Sequence, residues 1–477
     1  MAAALRRENS DLFDTRAVRV GHSHGEDDDD DDVGDDVLEK VFAAVDEATA
    51  ARRASDEYPE STLEEEMDPR ALDRQTEFRK RAERLIVKNA VKSRIFVFIV
   101  GFASTMVGTP FDSSTALHIE NVPGFLQCPA NWDGAFNVKI ATKGYEYEES
   151  HAFFPLFPFV ARLLSRAFVF RWVTSNEILA VAVAGALWNN VLFVLSAILM
   201  FRIGCRVLQD ERLALRAALL FAWTPASIFF SVAYSESIFF FLALFGIYIL
   251  AGSYTFRARL AATACFALAT TARSNGALLG LYSLWAAYRA WEKDKSKERY
   301  VRAVVELGIV GGIHLAALLA VLGYGWYLYC ALPVADEQRR PWCHYKIPNI
   351  YGFIEEHYWN LGLFKYYEPK QIPNFVLAAP AFILSVRAVI HSLTQQQRPL
   401  SILAPFVLQM VVSIVVAALI MHVQVFTRLI GASSPLFYWY AAEVTSKKGA
   451  FSYLVYMYFV FYTMFGTAMF CSYFPWT

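Results

Sequence analysis

The sequence predicts an all-α polytopic membrane protein with about eleven transmembrane helices and two long loops on one face. Three observations carry that prediction. Of the 477 residues, 56% are hydrophobic and 16% aromatic, with a mean hydropathy of +0.32, an apolar excess that a soluble multidomain chain of this length does not show. Charge is segregated: residues 1–93 hold 40 of the 89 Asp, Glu, Lys and Arg. The tail has 25 acids against 15 bases, net −10, and the body net +9, so the near-neutral total of −1 hides two opposite halves. Finally, residues 94–477 break into apolar stretches near the length a bilayer requires.

Residues 1–93 read as an acidic, largely disordered cytosolic tail. Glu26, Asp27 to Asp32, Asp35 and Asp36 form a like-charge block too self-repulsive to pack. Two weakly helical stretches, 37–51 and 61–86, carry no chemistry. No secretory signal opens the chain, so the first apolar run, from Ile95, serves as both targeting signal and first span. Arg79, Lys80, Arg81, Arg84, Lys88, Lys92 and Arg94 precede it and hold the N-terminus in the cytosol.

The candidate spans fall near 95–110, 177–201, 213–231, 237–253, 259–272, 276–290, 303–325, 374–391, 400–421, 429–444 and 450–471. The short pair 259–272 and 276–290 can equally be one bent hairpin around Arg273, Ser274, Asn275 and Gly276, which leaves the downstream topology unchanged. With this assignment the short basic loops, carrying Arg202, Arg206, Arg212 and Arg216, then Arg257 and Arg259, then Arg289 to Arg302, then Lys447 and Lys448, share one side. The other side receives loops 111–176 and 326–373, rich in Trp, Tyr, Phe and Pro, as interfacial segments do. A site is therefore expected on the non-cytosolic face.

Six cysteines without a CxxC pair give no zinc or thioredoxin-like pattern. Cys330 and Cys343 flank the second long loop and read either as a disulfide, if that face is the oxidising lumen, or as two free thiols. No N-x-S/T sequon marks the topology, and no inverted repeat of transporter type appears. Gly-rich phosphate loops, HExxH and nucleophile elbows are absent, which argues against soluble nucleotide-dependent chemistry.

Several polar residues at membrane depth stand out. Asp133, beside Trp132 in the first long loop, offers a carboxylate next to an indole that can stack on a sugar; burial there suits a general base, whereas a plain helix cap is the alternative. Asp112, in Asp112-Ser113-Ser114, reads as a cap or turn. Glu236 closes a proline-broken stretch from Trp223 that includes Tyr234, and either binds sugar hydroxyls or pairs with Arg273. Arg273 and Arg428 each present a guanidinium fork suited to phosphate, or snorkel to the interface. In the second loop, Lys365 among aromatics forms either a lid over a lipid phosphate or part of an interfacial belt.

Taken in order, Trp132-Asp133 with Gly144-Tyr145 and Ala152 to Pro158, the stretch from Pro225 to Glu236, Ala272 to Gly276, Pro341-Trp342-Cys343, Phe364 to Phe375, His422 to Arg428 and the terminal Phe474-Pro475-Trp476-Thr477 resemble the GPI mannosyltransferase 2 family over nearly all of residues 94–477. The acidic tail has no counterpart, and His151 stands where that family pattern has a filler, so it is not assigned catalysis.

The resemblance implies a GT-C type glycosyltransferase of the endoplasmic reticulum membrane. It implies transfer of the second mannose, in α-1,6 linkage and with inversion, from dolichol-phosphate-mannose to a monomannosyl GPI precursor on the luminal side. Asp133 would be the base. Arg273, Arg428 and Lys365 would neutralise the leaving phosphate, and Trp132, Tyr234, Glu236, Asn275, His422 and Gln424 would bind substrate. No cofactor, resident metal or nucleic acid is expected; the need for a small accessory membrane subunit is left open. Alternatives are a related transferase with another lipid-linked or protein acceptor, a lipid transporter or scramblase, and a non-catalytic subunit of an assembly complex.

Overall fold

The computed structural model describes residues 69–108, 111, 124–167, 174, 176–292, 296–332, 339–395 and 400–476. Residues 1–75 form a unit of their own, of which only the start of a helix is described, and Thr76–Thr477 form the second. The acidic block, both tail stretches up to residue 68 and Asp112 lie outside the described residues. Among the described residues regular structure is entirely helical.

The principal helices are α1 (Pro69–Val107), α2 (Asp133–Lys143), α3 (Leu156–Ser165), α4 (Glu177–Leu208), α5 (Glu211–Ala222), α6 (Glu236–Gly252), α7 (Phe256–Thr270) and α8 (Gly280–Glu292). They continue with α9 (Lys297–Trp326), α10 (Ile350–His357), α11 (Ile372–Thr394), α12 (Leu400–Leu419), α13 (Phe426–Gly431), α14 (Pro435–Ser446) and α15 (Ala450–Cys471). Residue 93 lies inside α1, which runs unbroken from the charged segment into the apolar one.

Among the described residues six helices, within α1, α4, α9, α11, α12 and α15, are long and apolar enough to cross a membrane. The other five expected spans contain shorter helices. α5 has 12 residues and α8 has 13, about 18–20 Å at 1.5 Å per residue, against the ~30 Å of a hydrocarbon core. The segment 429–444 divides between α13 and α14. Hydropathy continues through each break while the helix does not, because protein neighbours there accept and donate the backbone hydrogen bonds.

The core is built on α4, which packs against α3, α5 and α6. Gly204 permits the closest approach: a Cβ there would stand 2.8 Å from that of Ala214 on α5. At the periphery α9 exposes Val301, Val304, Val305, Ile309 and Leu319, as a lipid-facing helix should.

The break between α5 and α6, Trp223 to Ser235, is the segment that positions the site. Its backbone is irregular and almost wholly buried, so every carbonyl there needs a partner. Asn189 donates to Val232 O at 2.6 Å and Tyr234 O at 2.7 Å, Asn137 to Ala233 O at 3.1 Å, and Thr463 to Thr224 O at 3.0 Å. Arg94 donates to Ser227 O at 2.9 Å and to Ser231 Oγ at 2.8 Å, with its guanidinium 3.7 Å from the centre of the Phe193 ring. Arg94 therefore departs from the expected basic cluster: it is buried inside the bundle and supports the loop that leads to Glu236.

Candidate active site

The first long loop delivers Asp133 through a tight turn. Trp132 adopts a left-handed conformation (φ 53°) at the N-terminus of α2, with Gly134 and Ala135 donating back to Asn131 O and Trp132 O at 2.9 Å each. Asn131 is held from the far end of the chain, its amide donating to Phe470 O and Cys471 O at 3.3 Å. A disulfide joins Cys128 to Cys471 beside it. Helix α2 has no side-chain cap, so the Asp133 carboxylate is directed elsewhere.

It meets Arg428, Nη1 to Oδ2 at 2.5 Å. The Nε of the same guanidinium donates to Glu236 Oε1, and Arg273 Nη1 donates to that oxygen too. Asp133, Arg428, Glu236 and Arg273 thus form a continuous chain of two negative and two positive groups. Glu236 is completely buried and Arg428 nearly so, while 30% of the Asp133 side chain and 17% of Arg273 remain accessible. The accessible members lie at the two ends of the chain, where substrate can reach them. Neither guanidinium uses its Nη2 in these bonds.

Tyr234 supports the arrangement. Its hydroxyl accepts from the Asp133 backbone N–H at 3.1 Å, and its ring lies 4.6 Å from the Arg428 guanidinium. Trp132 approaches Tyr473 at 6.1 Å between ring centres, and its Nε1 is buried without a protein partner among the described residues. Asn275 follows Arg273 in the six-residue 3₁₀ helix Ser274–Leu279, with its side-chain oxygen likewise unpartnered among the described residues.

Two expected residues, His422 and Gln424, gather with Asn374 around Tyr366 instead. His422 stacks on that ring at 4.5 Å, Gln424 accepts from its hydroxyl, and Asn374 donates to the same hydroxyl at 2.7 Å. Lys365 pairs with Glu356 at 2.9 Å rather than with the four-charge chain. Gln424 and Arg428 share a crevice of about 330 Å³, including its open mouth, with Phe229, Leu377, Tyr462 and Trp476. The C-terminal tryptophan reaches that wall because Gly466 leaves space for its indole.

The two long loops are locked to each other. Glu148 accepts from Arg340 at 2.8 and 2.5 Å, from Trp342 Nε1 at 2.7 Å and from Tyr358 at 3.0 Å. Burial alone raises the Glu148 carboxyl, but these donors outweigh it and hold it below the usual range. Cys330 and Cys343 are joined by a disulfide, next to a small core of Trp342, Ile350 and Ile354. His151 is buried against Tyr145 at 4.4 Å, and burial brings its imidazole down to about 4, so it stays neutral within this aromatic packing.

Sequence reasoning misses Glu355 and Tyr351 on α10. Tyr351 Oη lies 2.8 Å from Ser274 Oγ, next to Arg273, and donates to Glu355. Nothing in Ile350 to His357 distinguishes it from an interfacial aromatic belt; only the folding of the second loop over the first brings it here. The Cys128–Cys471 pairing, across 343 residues, is equally without a local signal.

The family model described as Mannosyltransferase (PIG-V) matches residues 86–404 and 398–477. The GPI mannosyltransferase 2 of Drosophila pseudoobscura pseudoobscura is 30% identical over 415 residues, covering 77% of this chain and 90% of that protein. The GPI alpha-1,6-mannosyltransferase 2 of Homo sapiens is 29% identical over 378 residues, covering 69% of this chain and 75% of that one. Among solved structures, the Archaeoglobus fulgidus oligosaccharyltransferase tethered to an acceptor peptide is similar with a TM-score of 0.42 and 10% identity, over 81% of this chain and 55% of that chain. The family match takes in every residue of the four-charge chain and both long loops, and this protein belongs to the mannosyltransferase (PIG-V) family of enzymes.

Proposed function

We propose that this enzyme transfers mannose from dolichol-phosphate-mannose to the 6-hydroxyl of a monomannosyl GPI precursor, at the luminal face of the endoplasmic reticulum membrane, as a GT-C type transferase. The observation that carries the reading is the Asp133–Arg428–Glu236–Arg273 chain, two carboxylates and two guanidiniums held together in a polytopic membrane enzyme of this family. The acceptor oxygen forms the new bond to the anomeric carbon from the face opposite the phosphate. The bond from that carbon to phosphate oxygen breaks, and its electron pair leaves with dolichyl phosphate. Asp133 takes the hydroxyl proton.

The unengaged Nη2 groups of Arg273 and Arg428 supply fork-shaped donors for the charge that develops on the phosphate. Glu236 fixes both guanidiniums before substrate arrives, so little reorganisation is needed during the reaction. Both substrates are lipid-anchored and reach such a site laterally. The disulfides Cys128–Cys471 and Cys330–Cys343 tie the loops around the site and support an oxidising, luminal side.

The test is mannose transfer by the purified protein in liposomes, from dolichol-phosphate-mannose to a monomannosyl glucosaminyl phosphatidylinositol. Wild type should yield the dimannosyl lipid, and Asp133→Asn should be slower by about 10²–10⁴-fold with its fold intact, the usual contribution of a general base. Full activity in the variant would remove Asp133 from the chemistry; lipid flux without a new glycosidic bond would favour a transporter.

A further inference from the structure

Glu355 is a carboxylate of the site that the proposed transfer chemistry leaves unused. It lies on α10, one turn after Tyr351 and on the same helix face. Tyr351 brings it next to the charged chain: its hydroxyl lies 2.8 Å from that of Ser274, the neighbour of Arg273, and hydrogen-bonds to Glu355. The position is built rather than loose. Ile350 and Ile354 anchor α10 in the core around Trp342 and the Cys330–Cys343 bond, and Phe154 of the first loop packs edge-on against Tyr351 at 5.7 Å. The Glu355 carbonyl accepts from Leu361 N–H at 2.9 Å, which fixes the end of the helix.

The electrostatic setting of Glu355 is unfavourable. Burial raises its carboxyl, the Tyr351 hydrogen bond opposes that, and the negative charge of Asp133 raises it further. Its neighbour Glu356 has Lys365, whereas Glu355 forms no ion pair among the described residues. The charge of Asp133, on the first long loop, thus acts on a carboxylate of the second, for which Tyr351 is the only side-chain donor among the described residues. Two further acceptors belong to the chain that Tyr351 and Ser274 join: Glu236 Oε2, on a completely buried side chain, and Asn275 Oδ1 are both without a donor among the described residues. A surplus of buried acceptors is met by a ligand rich in O–H donors, and a pyranose is such a ligand.

We propose that Glu355 contacts the substrate, accepting hydrogen bonds from the hydroxyls of a mannosyl residue held between the first and second long loops, beside the Tyr351–Ser274 contact. The inference rests on the mannosyl-transfer reading and deepens it by assigning a sugar-binding carboxylate to the second loop. Both substrates contain mannose, so the same chemistry can come from the acceptor sugar or from the donor sugar. Tyr351 acts as a positioning residue, holding the Glu355 carboxylate through one oxygen and leaving the other for the sugar.

The experiment compares wild type, Glu355→Gln, Tyr351→Phe and Glu356→Gln in nanodiscs, with the KM of each substrate and kcat measured separately. Glu355→Gln keeps the size of the side chain and replaces one acceptor oxygen by a donor amide. It should raise the KM of one substrate at least tenfold with kcat within threefold; which KM rises identifies the sugar. Tyr351→Phe should move the same KM by less, and Glu356→Gln should move neither. Both KM values within twofold of wild type in a folded Glu355→Gln protein would overturn the proposal, as would a fall in kcat alone. A second arm titrates glucosaminyl phosphatidylinositol with and without its mannose, and mannosyl against unmannosylated dolichyl phosphate, following tryptophan fluorescence. Mannose should improve binding to wild type and not to Glu355→Gln for one of the two lipids. If wild type formed no dimannosyl product, the function reading would fail while this arm still decided Glu355: equal gains from mannose in both proteins would overturn it.

Discussion

Asp133 and Arg428 are 295 residues apart in sequence, and their side chains meet at 2.5 Å. The contact joins the start of α2 in the first long loop to α13, and through Arg428 it reaches the buried Glu236 at the start of α6. Three distant segments are thus held at one point by a single guanidinium. Such a pair is weak evidence for net stability, because desolvation of the charges offsets their attraction. Its value lies in geometry, since a guanidinium fork presents its donors in a fixed plane.

That relationship predicts different outcomes for two substitutions at Arg428. Arg428→Lys retains the charge but cannot reach two carboxylates in one plane, so transfer should fall about 10²-fold or more while the protein still purifies as a folded monodisperse species. Arg428→Met leaves Glu236 buried beside a single remaining cation, and should cost about 3 kcal/mol or more of stability. Thermal unfolding in detergent together with transfer assays separates the two. Equal activity of Lys and Arg at this position would show that the fork geometry is unimportant.

The Glu148 cluster predicts a pH dependence in the stability of the loops. Because the folded carboxyl is held below its usual range, its contribution is fully present above the unfolded pKa, near 4.3–4.5, and is lost as pH falls through the lower folded value. At pH 7 Glu148→Gln should unfold more easily by about 2 kcal/mol, the scale of hydrogen bonds to a charged group. The gap between wild type and variant should close below pH 4. Unfolding temperatures from pH 7 down to 3.5 would reveal it, and a gap that widened on acidification would contradict the assigned sign.

The Cys128–Cys471 bond closes a loop of more than three hundred residues and sits beside the turn that presents Asp133. Replacing both cysteines by alanine should lower stability by less than about 6 kcal/mol, the chain-entropy value for a loop of this length, because membrane insertion already restricts the unfolded chain. Transfer should fall more than stability predicts, since the backbone carbonyls of Phe470 and Cys471 that hold Asn131 are then no longer tethered covalently to the first loop. Non-reducing peptide mapping should recover the 128–471 link. Equal activity with and without it would confine the bond to a stabilising role.

The candidate site is partly legible in the chain. Asp133, Glu236, Arg273 and Arg428 announce themselves because an ionisable residue inside an apolar stretch is costly and needs a reason to be there. Glu355 carries no such signal: in a loop crowded with Glu, Tyr and His, one more acid is ordinary until its neighbours are known. Lys365 illustrates a limit of local reasoning, since the sequence does not tell that Glu356 stands beside its cationic side chain.

Composition and hydropathy by themselves determined that this protein is a helical membrane chain with a segregated charged tail, because transfer into lipid is a sum over residues in a window and needs no knowledge of contacts. The order of its motifs determined the family. Only the tertiary structure decided where helices stop, since the irregular backbone from Trp223 to Ser235 stays buried on the strength of donors from Arg94, Asn137, Asn189 and Thr463 on other elements. It alone also decided which charges meet. The hydrogen bonds that join Asp133 to Arg428 and Ser274 to Tyr351 act over a few ångströms of space between residues far apart in the chain, and no period or spacing in the sequence encodes that distance.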